Sequence, residues 1–343
     1  MNPNPDHHVV ARLSALGDAV LTTGVLRFWH ERHGWTFTVI TREACAPVFD
    51  RHPAVRGVEM LRDQDLRGPA LRARWRELAA AFSGQTLIDL HGIGRTHLLA
   101  RYWHGPVRRY VKHGLARRLF LLSNGTLCRY RLLLHNVPQR YALALETQAP
   151  PREALLPAIF LSDAEREHGR ALANTARSGP DAPLIALHPY AAHRGKTWSV
   201  ARWRTLMDAL DAAGLAWCVV GRAGEAERFP ELPADRDFTN RCSLRESAAL
   251  LAACTALITG DSGPMHLAGA VATPVIALFG CTTPEWGFYP CGPHDTILEN
   301  PLPCRPCTLH GAERCARDYA CLETLAPEAA LRAVRSLVLR QSL

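Results

Sequence analysis

The chain has 343 residues, of which 48% are hydrophobic and 21% charged, and 40 Lys and Arg side chains face 32 Asp and Glu. This length predicts about two domains, and the composition excludes disordered and fibrous proteins. No apolar run approaches the ~18 residues of a membrane span, and the amino end, MNPNPDHH, is short and polar with no apolar h-region. We therefore expect a cytoplasmic protein rather than a transmembrane or exported one.

Short apolar runs alternate with helical periodicity, which is typical of parallel α/β sheets. In the first half, strands are predicted at 8–13, 36–40 and 86–90. A helix is predicted from about 18 to 32, after a turn at Gly17. A helical region is also predicted over 115–135, with a break near Asn124 and Gly125.

The second half repeats this alternation, with predicted strands at 184–188, 216–221, 255–259 and 274–279. Ser199 is expected to cap a helix that runs to residue 213, and Ser243 with Glu246 forms a capping box before a helix through residue 253. Two further helices are predicted at 264–271 and 327–340.

The prolines at 148–157 indicate a linker, and no repeat of 20–50 residues suggests a solenoid. We therefore predict two doubly wound, Rossmann-like α/β domains that face a ligand cleft. Their expected bounds are 1–150 for the first domain, 151–183 for the linker, 184–326 for the second domain and 327–343 for a C-terminal helix.

Charge is distributed unevenly. Residues 1–150 carry 21 basic and 11 acidic side chains, whereas residues 151–343 carry 19 and 21. The window 91–145 contains no acid and ten basic residues, namely Arg95, Arg101, Arg108, Arg109, Lys112, Arg117, Arg118, Arg129, Arg131 and Arg140. Such a block attracts anionic lipid, nucleic acid or a phosphorylated acceptor. The alternative is a solvated arginine-rich face, which the length of the window disfavours.

The segment RLSALGD, Arg12–Asp18, lies where the first strand turns into the first helix. Ligands of open parallel sheets bind outside the carboxyl ends of the strands, so Asp18 is a candidate general base. The alternative is a helix N-terminal charge worth less than about 1 kcal/mol, and on this motif alone that interpretation is the simpler one. The segment lacks the G-x-G-x-x-G fingerprint, which disfavours a nicotinamide enzyme.

The segment GDSGPMH, residues 260–266, places a glycine-rich turn between a strand and a helix. Backbone N–H groups and the helix dipole at such a start form an anion site that suits a diphosphate. Asp261 or Ser262 can alternatively serve only as a helix cap. Glycines on both sides of this pair exceed what capping needs, so we favour the phosphate site, with His266 placed to face the same anion.

Two further strand-end loops carry charged candidates. Only two of the 40 basic residues are lysines, Lys112 and Lys196, and Lys196 follows the strand at 184–188. A preorganised lysine there stabilises a leaving diphosphate, although a surface lysine is the alternative. In GRAGE, residues 221–225, Glu225 suits a pair of ribose hydroxyls, and Glu227 competes for that role.

Four of the eleven cysteines are clustered as C-x2-C-x7-C-x5-C, at Cys304, Cys307, Cys315 and Cys321. A structural zinc site fits this spacing class, although the spacing matches no standard zinc finger. Reduced thiols or a labile disulfide are the alternatives. The other seven cysteines are interpreted as small apolar residues.

In this order, the motifs resemble the glycosyltransferases of the ADP-heptose–lipopolysaccharide heptosyltransferase type, glycosyltransferase family 9. The resemblance rests on RLSALGDAV, DLHGIGRTHLLAR, LHPYAAHRGKTW and GDSGPMHLAGAVATPVIALFG, and it runs from about residue 9 to 335. It implies the GT-B fold, with the acceptor in the first domain and the donor in the second. It also implies inverting transfer of heptose from ADP-heptose to the lipopolysaccharide inner core, with no metal required for the chemistry.

The resemblance also implies roles for single residues. Asp18 and Lys196 would be catalytic; the donor would bind Glu225, Asp261, Ser262, Gly263 and His266; the acceptor would bind Ser14, Gly17, His91, Arg95 and Lys112. Two positions depart from the family pattern. Ala191 and Ala192 stand where small hydroxyl residues often bind phosphate, and Tyr190 replaces a usual glycine.

The expected partners are ADP-heptose or a related nucleotide sugar and an anionic lipid A–core acceptor. Peripheral contact with the inner face of the cytoplasmic membrane is expected, nucleic acid is not, and we expect a monomer. The alternatives are another GT-B nucleotide-sugar enzyme, such as one with a different donor or a 2-epimerase, and an inactive nucleotide-sugar binder. The pairing of Asp18 with Lys196 favours the transferase, because a binder needs no base.

Overall fold

The structure is a computed structural model that describes residues 6–179, 182–224, 229–309, 311 and 313–341. The strands are β1 (His7–Ala11), β2 (Thr36–Arg42), β3 (Val55–Leu61), β4 (Leu87–Asp89), β5 (Val107–Arg109), β6 (Leu184–His188), β7 (Ala216–Val219), β8 (Ala256–Gly260), β9 (Val275–Phe279) and β10 (Thr296–Glu299). The helices are α1 (Leu16–His33), α2 (Gly68–Ala81), α3 (Gly94–Tyr102), α4 (Gly114–Leu122), α5 (Arg129–Leu133), α6 (Val137–Ala142), α7 (Asp163–Ala176), α8 (Val200–Ala212), α9 (Leu244–Ala252), α10 (Gly263–Ala270), α11 (Ala320–Glu323) and α12 (Pro327–Gln341).

The chain forms two compact units. The first comprises Met1–His113 and Val137–Phe160, and the second comprises Gly114–Asn136 and Leu161–Leu343. This division groups several segments differently from the expected domain bounds. The segment with α4 and α5 belongs to the second unit, and the expected linker holds α7, which packs against α9 of that unit.

The first unit is built on a five-stranded parallel sheet of order β3-β2-β1-β4-β5. Its central strand β1 is apolar on both faces, with Val9 and Val10 fully buried, as expected of a parallel strand covered on both sides. On one side the core contains Trp75, Leu87 and Leu99.

The second unit holds another five-stranded parallel sheet, of order β10-β9-β8-β6-β7. Its core joins Ile258 and Leu278 of the sheet to Trp203 of α8 and Val334 of α12. Two doubly wound α/β units are therefore present, as predicted. Among the described residues, no helix combines the length and hydropathy that crossing a bilayer requires.

The structure corrects two local predictions. The helix α1 begins at Leu16 and its Ala19 N–H bonds to the Ala15 carbonyl, so Gly17 lies in the first helical turn rather than before it. Ser199 does occupy the N-cap of α8, but its hydroxyl donates to Glu323 Oε2 at 2.8 Å instead of capping the helix. The capping box of Ser243 and Glu246 is confirmed.

Candidate functional site

The two sheets share one topological property that positions their ligand sites. In the first, the strand order reverses between β1 and β4, and in the second it reverses between β6 and β8. Ligands of open α/β sheets bind outside the carboxyl ends of the strands at such switch points. The loops that follow these four strands carry most of the residues that the sequence singles out.

Asp18 lies in the first turn of α1, beside the carboxyl end of β1, and both of its carboxylate oxygens are held. The Arg12 guanidinium lies 2.6 Å from Oδ2, and the Tyr141 hydroxyl donates to Oδ1 at 2.6 Å. Arg12 and Tyr141 are buried, whereas the Asp18 side chain keeps 20% of its surface exposed. The contacts fix the direction of the carboxylate, and the exposed fraction leaves it accessible to a substrate proton.

Arg12 joins the two strands of the first switch point. Its Nη1 donates to the Leu90 carbonyl behind β4 at 2.5 Å, while its Nη2 reaches Asp18. The guanidinium also lies over the ring of Tyr141, 5.3 Å from the centroid. The Asp18 carboxylate is thus positioned by a guanidinium that Leu90 and Tyr141 also hold in place.

His91 follows β4 and is tied directly to the loop behind β1. Its Nδ1 accepts the Leu13 N–H at 3.0 Å, so the proton of the neutral ring is on Nε2. Burial, with the nearby charges of Arg12 and Lys112, lowers the pKa of His91 to about 3. This imidazole is neutral at physiological pH and its Nδ1 is occupied by the Leu13 N–H, so Asp18 rather than His91 is the candidate base.

The second switch point carries an ion pair. Lys196 lies in a short 3₁₀ turn, Arg194–Lys196, after β6, and its Nζ is 2.8 Å from Asp261 Oδ2 after β8. Thr282 donates to the same oxygen at 2.9 Å. Both charged side chains are largely buried, at 17% and 10% exposed. An ammonium has three donors, so Lys196 can hold Asp261 and still bind an anion.

Two glycines allow the loop of Lys196 to lie against the sheet. A Cβ on Gly260 would come within 1.8 Å of the Lys196 carbonyl oxygen, and a Cβ on Gly280 within 2.7 Å of the Gly195 carbonyl oxygen. The Cys281 thiol donates to that Gly195 oxygen at 3.1 Å. The position of Lys196 is therefore set by backbone packing at the ends of β8 and β9.

The helix α10 begins directly behind this ion pair, with Ser262 at its N-cap position and Pro264 in its first turn. Within the described residues, the Ser262 side chain makes no capping hydrogen bond; it lies 3.0 Å from Thr259 Oγ1 and 3.3 Å from His188 Nδ1. Burial lowers the pKa of His188 to about 4, so that ring is neutral. The Ser262 side chain thus does not cap α10, and the start of this helix has the general properties of an anion site.

Comparison with known proteins decides the family. The sequence model described as "Glycosyltransferase family 9 (heptosyltransferase)" matches residues 74–314, which is more than half of the chain. The chain belongs to glycosyltransferase family 9. The predicted glycosyltransferase class is thereby confirmed, and the GT-B fold is confirmed by solved structures that share the two parallel-sheet units.

Individual members of glycosyltransferase family 9 share about a quarter to a third of their aligned residues with this chain. A lipooligosaccharide heptosyltransferase 2 of Haemophilus influenzae is 34% identical over 165 residues, which cover 43% of this chain and only about half, 47%, of that relative. A lipopolysaccharide heptosyltransferase 1 of Pseudomonas aeruginosa is 26% identical over 321 residues, covering 87% of this chain and 85% of that one.

Solved structures of the family have the same fold. A family 9 glycosyltransferase of Veillonella parvula superposes with a TM-score of 0.73 at 19% identity, covering 99% of both chains. The ADP-heptose lipopolysaccharide heptosyltransferase II of Escherichia coli gives 0.71 at 20% identity, covering 98% of this chain and 100% of that one.

The structure brings the family 9 candidates together in two groups. In the first unit, Ser14 lies in the loop between β1 and α1, and His91 contacts that loop; the charges of Arg95 and Lys112 also act on His91. In the second unit, Lys196, Asp261 and Ser262 surround the start of α10, where Gly263 is the first residue and His266 is buried. The binding roles of these residues stay predictions.

Some predicted features cannot be placed in this way. Glu225 and its competitor Glu227 lie outside the described residues. Cys304, Cys307, Cys315 and Cys321 are free thiols. In the described ranges, no three His, Cys, Asp or Glu side chains are grouped so that they could hold a metal ion. A structural zinc at this cluster stays a prediction.

Sequence reasoning missed three residues of the site. Arg12 is the first residue of the motif RLSALGDAV but is not among the predicted site residues, although a buried arginine is a common partner of a functional carboxylate. Tyr141 is 123 residues from Asp18, and no local pattern links the two. Thr282 lies directly behind the glycine motif that ends at Gly280, and its contact with Asp261 depends on the pairing of β8 with β9.

Proposed function

We propose that this family 9 enzyme transfers heptose, with inversion, from ADP-heptose to an anionic, lipid-linked sugar of the lipopolysaccharide inner core. The observation that carries the proposal is the largely buried Lys196–Asp261 pair beside the start of α10, at the switch point of the second sheet. This combination of an ammonium and helix N–H groups suits a diphosphate. An Escherichia coli heptosyltransferase with the same fold, at a TM-score of 0.64, is described with ADP-2-deoxy-2-fluoro heptose, which supports this donor.

In the proposed reaction, Asp18 removes the proton of the acceptor hydroxyl as its oxygen bonds to the anomeric carbon. The bond from that carbon to the diphosphate oxygen breaks on the opposite face, which inverts the configuration. Lys196 and the N–H groups of α10 stabilise the negative charge that develops on the leaving ADP. None of these steps requires a metal ion.

In the loop of residues 190–196, phosphate binding by side chains depends mainly on Lys196. Ala191 and Ala192 supply no hydroxyl to a phosphate, and Tyr190 is committed elsewhere, since its buried hydroxyl lies 2.7 Å from Thr239 Oγ1. We therefore propose that the diphosphate is held by the lysine and the backbone, and that the loop before Lys196 shapes the site without binding phosphate through its side chains.

The acceptor is proposed to bind in the first unit. Arg95 and Lys112 are exposed, and the positive charge around His91 suits an acidic or phosphorylated sugar. The neutral His91 ring keeps its Nε2 proton and can donate to a sugar oxygen. Asp18 then faces an acceptor that is positioned by neighbours from the same sheet edge.

ADP binding without a divalent cation is the first expected result. ADP at about 100 times its Kd should stabilise the folded state by about 2.7 kcal/mol. Thermal unfolding in EDTA, with and without ADP, measures this as a Tm increase of a few degrees. UDP at the same concentration is the matched control. Stabilisation that requires a divalent cation, or that UDP produces and ADP does not, would contradict the proposed donor.

A smaller effect is expected at the hydroxyl that orients Asp18. Tyr141→Phe keeps the buried ring and removes the hydrogen bond to the carboxylate, so kcat should fall about 10-fold. The KM for the donor should be unchanged, because the donor is proposed to bind in the other unit. Tyr102→Phe, on α3 of the same unit, is the control. Equal losses in both variants, or a loss confined to donor KM, would argue against a positioning role.

A further inference from the structure

The helices α4 and α5 form a hairpin of the second unit whose inner side is fully packed. Ala116, Phe120 and Leu132 are buried against Trp286, and the Phe120 and Trp286 rings meet edge to face with centroids 5.7 Å apart. Arg129 pairs with the buried Glu285 at 2.9 Å, and Arg117 donates to the Trp286 carbonyl at 3.2 Å. The inner face and two of the arginines therefore hold the hairpin on its unit.

The outer side of the same hairpin is also apolar. Twelve large hydrophobic side chains are exposed in the described part of the chain, and seven of them lie within residues 115–134. These seven are Leu115, Leu119, Leu122, Leu127, Tyr130, Leu133 and Leu134. Leu122 and Tyr130 are the most exposed, at 82% and 79%. Such a concentration marks an interaction surface, because single exposed apolar residues are ordinarily scattered.

The spacing of these residues gives each helix a second apolar stripe. On α4, Leu115, Leu119 and Leu122 recur at i, i+4 and i+7 and share one face, which is distinct from the face of the buried Ala116 and Phe120. On α5, Tyr130 and Leu133 are neighbours at i and i+3. The hairpin therefore has one apolar face that packs on its unit and a second apolar face that is exposed to solvent.

Basic residues accompany the outer stripe. Arg118 falls between Leu115 and Leu122 on the same face of α4, and Arg131 is exposed on α5 beside Tyr130. The sequence contains no acid between His91 and Leu145. A second copy of the hairpin would thus bring arginines against arginines with no local carboxylate to pair them. An anionic lipid surface offers both an apolar layer and phosphates.

We propose that the outer face of the α4–α5 hairpin docks on an anionic bilayer. Leu115, Leu119, Leu122 and Tyr130 would enter the interfacial layer, and Arg118 and Arg131 would contact lipid phosphates. This inference extends the proposed function by naming the surface that would bring the enzyme to a lipid-linked acceptor. Docking needs neither donor nor acceptor, so its test and that of the sugar transfer can fail separately.

Vesicle binding of the full chain tests this surface. The protein should sediment with vesicles of about 30% phosphatidylglycerol in phosphatidylcholine and much less with phosphatidylcholine alone. Arg118→Gln with Arg131→Gln should weaken binding roughly 30-fold. Leu115→Gln, Leu122→Gln and Tyr130→Gln together should weaken it more than about 10-fold. All five side chains are exposed, so the packed inner face remains.

Matched variants elsewhere serve as controls. Arg332→Gln with Arg335→Gln removes two exposed arginines from α12, and Met60→Gln, Val200→Gln and Leu339→Gln remove three exposed apolar side chains. Both control variants should bind vesicles like the parent chain. The proposal is overturned if the hairpin variants and the control variants lose vesicle binding equally, or if no variant loses vesicle binding. It is also overturned if the parent chain ignores anionic vesicles and sedimentation velocity shows a dimer that the hairpin variants dissociate.

Discussion

Asp18→Asn is expected to lower turnover by on the order of 10²-fold or more, the usual scale for a lost general base. The amide keeps the shape of the side chain but cannot take a proton from the acceptor hydroxyl. Steady-state transfer with saturating donor measures the loss. The residual rate should rise steeply with pH, as hydroxide replaces the missing base.

The control must separate chemistry from folding, because Asp18 also neutralises the buried Arg12. The proposed ADP site lies in the other unit, so an unchanged ADP-induced rise in Tm would show that the second unit of the variant is intact. Circular dichroism and the parent unfolding profile report on the first unit. An Asp18→Asn enzyme that folds and turns over at nearly the parent rate would remove Asp18 from the mechanism.

Lys196→Ala is expected to lower kcat/KM by about 10²- to 10³-fold, the range found when a preorganised charge at a developing anion is removed. ADP should also lose its effect on Tm in EDTA. The effect is large because the loop offers no phosphate-binding hydroxyl at Ala191 or Ala192, and because Asp261 then faces the diphosphate unpaired by its lysine. Lys112→Ala removes the only other lysine and should leave the ADP effect intact.

A double variant distinguishes two explanations for that loss. If Lys196 only neutralises Asp261, then Lys196→Ala with Asp261→Asn should restore ADP binding, because no uncompensated carboxylate remains. If Lys196 binds the diphosphate itself, as we propose, the double variant should stay as weak as Lys196→Ala. Isothermal titration with ADP resolves the two cases. Restoration would assign Lys196 a structural role and place the phosphate contacts elsewhere.

Much of the fold was predictable because the strands covered on both sides are short, continuous apolar runs. The strand at 184–188 was predicted to the residue, and its five side chains are all buried. The strands missed by the sequence, β3, β5 and β10, are all at the edges of their sheets. Edge strands are partly exposed and carry polar residues such as Arg56 and Glu59, so their pattern is weaker.

The site was predictable where function depends on a strand-end loop, and unpredictable where it depends on long-range packing. Asp18, Lys196 and Asp261 lie in motifs whose glycines and position behind strands mark them. The partners that hold Asp18 come from the β1 end and from α6, and only the folded chain brings Tyr141 to it. A local signal did exist for α7, since Ser162 and Glu165 form a capping box.

The placement of the α4–α5 hairpin limits how this enzyme can be divided or recombined. The chain passes between the two units at residues 113–114, 136–137 and 160–161, so neither unit is one continuous stretch. Arg129 meets its partner Glu285 156 residues further along. During synthesis the hairpin is therefore made long before the segment around Trp286 and Glu285 on which it packs. A chimaera with a relative, joined once near residue 150, would take the hairpin from one parent and the residues on which it packs from the other.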